Sequence, residues 1–332
     1  MQSISLFYFI GFIGFIGLFF GGDKLVEGSI ITAKRFRISP HLIAVTIIAL
    51  GTSAPELVVS VNSVLKDSPD LAWGNVVGSN IANLFLVIGG ACIVTLYQNK
   101  DLADNDSSLQ RDILFMTLAT FAVVFFGYFF NGISTLVGII FISFLLLIIL
   151  YMSLKSSKSS KHSEQISETS SQLFNLIEYY FSKNLAGLFL TILGIVIVLI
   201  SSECLIFSAV NISKIYGIQE SLIGVTILAL GTSLPEISTS ISAVKKGHAD
   251  IAIGNVLGSN LFNSLGILGA SALASYPKTL STPQNFYYFD LPIMLTITLI
   301  LGGSLYFFRK ISKYFGPILL VFYLIYIYLG YS

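Results

Sequence analysis

The sequence predicts an all-α integral membrane protein of ten transmembrane helices, built as two inverted-topology repeats of five. Three observations carry that prediction. The chain is 55% hydrophobic and 11% charged, whereas a soluble domain carries about 25% charged residues. The block Gly51-Thr-Ser-Ala-Pro-Glu56 returns as Gly231-Thr-Ser-Leu-Pro-Glu236, 180 residues later. The same displacement holds through Gly74-Asn-Val-Val-Gly-Ser-Asn80 and Gly254-Asn-Val-Leu-Gly-Ser-Asn260, and 18 of 40 positions are identical between 51–90 and 231–270. Finally, the basic residues gather on one face once ten spans are drawn.

About 20 apolar residues cross the hydrocarbon as a helix. On that measure the spans fall at 5–32, 40–65, 70–97, 111–130, 133–152, 184–212, 220–245, 250–275, 287–308 and 314–331. One face then receives only Lys66, Lys214 and Lys278. The other receives 14 basic residues, from Lys34, Arg35 and Arg37 to Arg309, Lys310 and Lys313, and Lys24 lies within the first span. The positive-inside rule makes the basic face cytoplasmic. Both termini are therefore expected on the extracytoplasmic side of the plasma (inner) membrane. Adding or removing one helix would scramble this asymmetry.

Five spans per half make the second copy enter from the opposite side, a plan recurrent in secondary transporters with a midplane site. The expected organisation is a first repeat over 1–152, a flexible cytoplasmic linker over 153–182 and a second repeat over 183–332. The stretch 153–171 holds nine serines in 19 residues and cannot bury enough apolar surface to fold alone. The first Lys or Arg is Lys24, so the opening apolar run lacks the basic region of a cleavable signal and reads as a permanent helix. Its glycines 11, 14, 17, 21 and 22 read as a helix-packing stripe. Cys92 and Cys204 lie in apolar spans and read as packing residues.

The chemistry sits in the repeated blocks. Pro55 and Pro235 each remove a backbone donor and crowd the carbonyl four residues back, freeing the oxygens of Gly51 and Gly231 beside the glutamates. Spans two, three, seven and eight are expected to be broken around a midplane ion site. Thr52, Glu56 and Ser60 share one helix face by their spacing, as do Asn75, Ser79 and Asn83. Thr232, Glu236, Asn255, Ser259 and Asn263 repeat the pattern. Carboxylates, amides, hydroxyls and carbonyls are hard oxygen donors, suited to a cation such as calcium. No His or Cys is expected near either motif, which argues against zinc, copper or iron. One divalent cation, two sodium ions or two protons would each neutralise the glutamates. A buried acid can be purely structural, but two at matched positions, without a basic partner, read as a site. Asp112 and Asp290 read as helix-start residues, and His248 as a solvated loop residue.

Gly-Thr-Ser-x-Pro-Glu followed by Gly-Asn-x-x-Gly-Ser-Asn, present twice, resembles the alpha repeats of the sodium/calcium exchanger family within the calcium/cation antiporter superfamily. The resemblance implies that Glu56 and Glu236 are the central calcium ligands, aided by the carbonyls of Thr52 and Thr232. It implies that sodium uses the same glutamates with Ser53, Ser79, Ser233, Ser259 and the carbonyls of Ala49 and Ala229. Asn83 and Asn263 would complete the centre, and spans one and six would slide against the other eight. Several family members carry aspartate where this chain has Asn263, so this site keeps a formal charge of −2 from its two glutamates. Electroneutral exchange, proton coupling or altered selectivity follows more readily from that charge than the usual electrogenic exchange.

The expected activity is antiport of calcium against sodium by alternating access, with a calcium/proton antiporter as the alternative. Calcium and sodium are cargo, no cofactor is expected, and the lipid bilayer is the surrounding partner; neither nucleic acid nor a required protein partner is implied. An intramembrane hydrolase would need a base at the depth of the Gly-Thr-Ser serines, and none is present. A channel is countered by inverted repeats around a single buried site.

Overall fold

The computed structural model describes residues 4–155, 183–216 and 229–331. Most of the expected linker (156–182) and the first part of the expected span over 220–245 lie outside them. The described chain is almost wholly helical. Its helices are α1 (Ile4–Phe36), α2 (Pro40–Thr52), α3 (Ala54–Leu65), α4 (Pro69–Tyr97), α5 (Leu109–Phe129) and α6 (Thr135–Lys155). After the linker come α7 (Lys183–Ile215), α8 (Ala229–Thr232), α9 (Leu234–Lys245), α10 (Ala249–Ala274), α11 (Gln284–Phe308) and α12 (Phe315–Tyr331). Among the described residues, seven helices are long and apolar enough to cross a membrane, or eight if the bent pair α2–α3 counts as one span.

Burial separates a centre from a rim. Of the most apolar 18 residues, 94% are buried in α10 and 78% in α4, against 22% in α1 and 28% in α6. The outer helices turn Phe9, Phe12, Phe15, Leu146 and Leu147 outward, as a surface solvated by lipid tails allows. The polar repeat blocks lie on the buried helices. This arrangement places charge and amides where lipid cannot reach them.

Four two-residue strands tie the loops together. β1 (Leu102–Ala103) pairs antiparallel with β4 (Lys310–Ile311), and β2 (Gly132–Ile133) pairs with β3 (Leu280–Ser281). Each pair therefore joins a loop of the first half to one of the second. β1 lies beside Lys100 and β4 beside Arg309 and Lys313, in the loops assigned to the basic face, whereas Lys278 is next to β3.

The glycines of α1 do serve packing, as expected. α1 and α7 run along one another so closely that a Cβ on Gly28 would lie 2.4 Å from the Thr191 amide nitrogen, and one on Gly194 2.4 Å from that of Leu25. Ser208 Oγ donates across the pair to the Phe7 carbonyl at 2.7 Å. Helix propensity alone would make Gly28→Ala stabilising by up to about 1 kcal/mol. Overpacking against rigid backbone costs about 1–3 kcal/mol, so the variant is expected to melt at a lower temperature in detergent. A raised midpoint would show that the two helices do not pack this closely.

Candidate cation-binding site

The site begins with two interrupted helices. Ser53 (φ −86°, ψ 9°) separates α2 from α3, which are bent by 43°. Ser233 (φ −85°, ψ 0°) separates α8 from α9. Each proline sits in the first turn after its break, where its missing donor costs least. Of the carbonyls freed this way, that of Gly231 accepts a hydrogen bond from Ser202 Oγ of α7 at 2.8 Å.

Two asparagines brace the halves against each other. Asn75 Nδ2 donates to the Glu56 carbonyl (3.0 Å) and to Ser60 Oγ (2.9 Å), while its Oδ1 accepts from Thr232 Oγ1 of the opposite half (3.3 Å). Asn255 mirrors it: Nδ2 reaches Ser240 Oγ (3.4 Å), and Oδ1 accepts from Thr52 Oγ1 (3.3 Å). Their role is structural, as their positions suggested. Both repeats thereby lock at the level of the helix breaks.

Glu56 and Glu236 are buried, at 1% and 0% exposure, close enough that their charges repel one another. Glu236 Oε1 accepts from Ser53 Oγ (3.0 Å) and Ser259 Oγ (3.3 Å), so its partners come from both halves. Ser79 Oγ lies 3.5 Å from Thr232 Oγ1, and Thr52 Oγ1 lies 3.4 Å from the Ala49 carbonyl. Ala229 opens α8, in the position that Ala49 holds before the first break. Several buried polar atoms have no partner in the protein: Oε2 of both glutamates, Oδ1 of Asn83, Ser233 Oγ and both polar atoms of Asn263. An unsatisfied buried polar atom costs about 1–3 kcal/mol, and more when charged. A cation coordinated by these oxygens removes that cost.

The donor set selects the cation. It offers carboxylate, amide and hydroxyl oxygens with a formal charge of −2, and among the described residues no group of three or more His, Cys, Asp or Glu side chains gathers anywhere. Hard oxygens in a mixed neutral and anionic shell suit calcium, or sodium.

Several expectations are corrected. Spans three and eight are not broken: α4 and α10 run through as continuous helices because neither has an internal proline. Each instead carries a π turn, at Asn83–Val87 and Phe262–Ile267, a local widening that recurs at functional sites. Asn83 opens the first and Asn263 lies in the second. The blocks' second-half glycines give close approach, not kinks, since a Cβ on Gly258 would lie 2.3 Å from the Val45 carbonyl. A histidine does stand beside one motif: a Cβ on Gly254 would meet His41 Nδ1 at 3.2 Å. Asp112 does more than begin a helix, because it is buried and contacts that histidine. His248 is buried beside Asp250 instead of solvated, since its loop folds back on α10. Asp23 remains apart from the site, paired with Lys24 (3.4 Å) and Lys246 (2.8 Å), and Glu203 is exposed.

Sequence reasoning missed a second amide layer beneath the carboxylates. Asn83 Nδ2 donates to Asn260 Oδ1 (3.0 Å), Asn260 Nδ2 to the Asn80 carbonyl (3.3 Å), and Asn80 Nδ2 to Ser264 Oγ (3.0 Å). The signal was present as the last asparagine of each block, which again links one half to the other.

Comparison with known proteins agrees with this geometry. The family described as sodium/calcium exchanger protein matches residues 5–154 and 186–331. The sodium/calcium exchanger MaX1 of Methanosarcina acetivorans is 31% identical over 352 residues, covering 96% of this chain and 97% of that one. The inner membrane protein YrbG of Escherichia coli is 31% identical over 293 residues, covering 87% of this chain and 85% of its own. A solved structure of the sodium-calcium exchanger NCX_Mj superposes with a TM-score of 0.81 at 26% identity, over 97% of each chain. With paired helix breaks, two facing carboxylates and a match along nearly its whole length, the chain belongs to the sodium/calcium exchanger family.

Proposed function

We propose that this protein exchanges calcium for sodium across the membrane by alternating access, with the ions bound between Glu56 and Glu236. One observation carries the reading: two buried carboxylates, each with an unpartnered Oε2, sit among unpartnered amide and hydroxyl oxygens at the crossing of two interrupted helices. Calcium would be held by both glutamates and the carbonyls of Thr52 and Thr232. Sodium would take the same glutamates with Ser53, Ser79, Ser233, Ser259 and the carbonyls of Ala49 and Ala229. Asn83 and Asn263 would close the shell. Competition for one charge-limited site makes the two fluxes obligatory counterparts.

The proposed architecture is ten spans in two inverted five-helix repeats over 1–152 and 183–332, joined by the linker 153–182. The strand pairs support it. β3 begins 178 residues after β1 (280 − 102) and β4 begins 178 after β2 (310 − 132), so a twofold operation exchanges the two pairs. The repeats would place both termini on the extracytoplasmic side of the plasma membrane. The basic loops that carry β1 and β4 would face the cytoplasm.

Calcium-isotope uptake into proteoliposomes with an outward sodium gradient tests the reading. Wild type is expected to accumulate calcium. Glu56→Gln and Glu236→Gln should each lower the rate by about 100-fold or more, as losing one partner of a buried ionic centre does at 2.7–4 kcal/mol, while remaining monodisperse. Normal uptake by both variants would remove the ion site from these residues. Uptake driven by a proton gradient in sodium-free medium would instead make protons the coupling ion.

The charge of −2 sets a second expectation. One calcium, or two sodium ions, neutralises the site, so exchange should be electroneutral. Clamping the membrane potential with potassium and valinomycin should leave the wild-type rate unchanged, whereas Asn263→Asp should make it potential-sensitive. A wild-type rate that follows the imposed potential would show that a third charge moves in each cycle.

A further inference from the structure

The transport site does not use His41, although the ring is fully buried (0% exposure) at the start of α2. Its Nδ1 lies 2.7 Å from Asp104 Oδ2, and its Nε2 lies 3.1 Å from Asp112 Oδ2. The Nδ1 contact is short but bent away from the hydrogen-bond line, so its attraction is chiefly ionic. A carboxylate only accepts, and a neutral imidazole bears one bare lone pair. Two flanking carboxylates therefore require both ring nitrogens to carry protons.

The surroundings are charge-balanced only in that form. Asp104 and Asp106 face the ring from the loop that follows β1; Asp112 and, behind it, Arg111 (Nε to Oδ1, 2.6 Å) face it from α5. Arg309, beyond the loop, donates to the Asp106 carbonyl at 3.0 Å. From α10 the ring meets Gly254, with Asp250 one turn earlier paired to His248. The last turn of α1, which also packs on α2, carries Lys34 and Arg35. Counting the groups that touch one another, three carboxylates (Asp104, Asp106 and Asp112) oppose Arg111, Arg309 and the imidazolium.

His41 reaches the ion site through the α2–α10 interface. α10 seats Gly254 against His41 and Gly258 against the Val45 carbonyl. Above these contacts α2 supplies Thr52 and Ser53, and α10 supplies Asn255 and Ser259, which meet one another or Glu236. A shift at the base of this interface would move both hydroxyls that hold Glu236.

We propose that His41 is a positioning residue for ion exchange: as an imidazolium clamped between Asp104 and Asp112, it fixes the register of α2 on α10 and thereby the hydroxyls that orient Glu236. The cation to which this role applies rests on the transport reading above; the clamp itself does not. Its sign is defined. The clamp holds while the ring is protonated and is lost as pH rises through the ring's titration.

The test compares wild type, His41→Gln and Asp104→Asn, with pH set equal on both sides of proteoliposomes. The wild-type calcium rate should fall reversibly on the alkaline side. His41→Gln should be slower by about tenfold or more at neutral pH, as a misplaced reacting group is, and should lack that fall. Asp104→Asn should bring the fall to lower pH, because one of the two carboxylates favouring the proton is gone. Thermal midpoint against pH, measured on the same purified proteins in detergent, should show the same order without any transport. An alkaline fall that persists in His41→Gln, or one that stays in place in Asp104→Asn, overturns the proposal. Absence of sodium-driven uptake in wild type, with the order of thermal midpoints intact, would instead overturn the transport reading and leave the clamp standing.

Discussion

Two carboxylates held together at 0–1% exposure, with no basic side chain paired to either among the described residues, set the terms for the rest of the molecule. Two like charges about 4 Å apart repel by about 4 kcal/mol even at an effective dielectric constant near 20. Nothing in the protein supplies the opposing charge. What it supplies is geometry: hydroxyls that hold Glu236 Oε1 in place and leave Oε2 of both glutamates directed at the amides of Asn83 and Asn263. An arrangement of this kind is stable when a mobile cation is the missing partner.

That constraint explains why the backbone is irregular only near the acids. A continuous helix consumes its own carbonyls, so oxygen donors at membrane depth require a break or a widened turn, tolerated where protein surrounds it. The proline breaks at Ser53 and Ser233 meet this requirement in α2–α3 and α8–α9. The π turns at Asn83–Val87 and Phe262–Ile267 meet it in α4 and α10 without interrupting them. The four uninterrupted or broken elements then need a fixed mutual register, and the cross-bracing asparagines give it. Because Asn75 takes its hydroxyl from Thr232 and Asn255 takes its own from Thr52, neither half can shift alone without losing bonds in both.

Much of this was legible in the chain. The helix breaks follow from proline stereochemistry, and the membrane class follows from composition. The facing of Glu56 and Glu236 follows from their equivalent places in the two repeats. The π turns were not legible, since an extra residue per turn has no hydrophobic period of its own, and asparagine-rich blocks read as breaks. His41 was overlooked for a different reason. Its partners Asp104 and Asp112 lie over sixty residues away in a loop and a helix start, and no repeat copy marks them. Sequence repetition reveals what the two halves share, and the histidine clamp belongs to one half alone.

The two halves are also unequal at the site itself. Ser53 and Ser259 both donate to Glu236 Oε1, but their repeat counterparts behave differently: Ser233 Oγ is unpartnered, and Ser79 lies against Thr232. Perfect twofold symmetry would hold both acids alike. In an inverted repeat, exchanging the roles of the halves turns a site arranged toward one side of the membrane into one arranged toward the other. Under the transport reading, the unequal hydroxyl contacts are therefore one member of a pair of near-equivalent arrangements. The step between them need move only a few hydroxyl groups, with α1 and α7 packed on each other through glycine as one unit beside the core. The same near-symmetry that fixes where the cation binds would then also make its two exits energetically comparable, which a coupled exchanger requires.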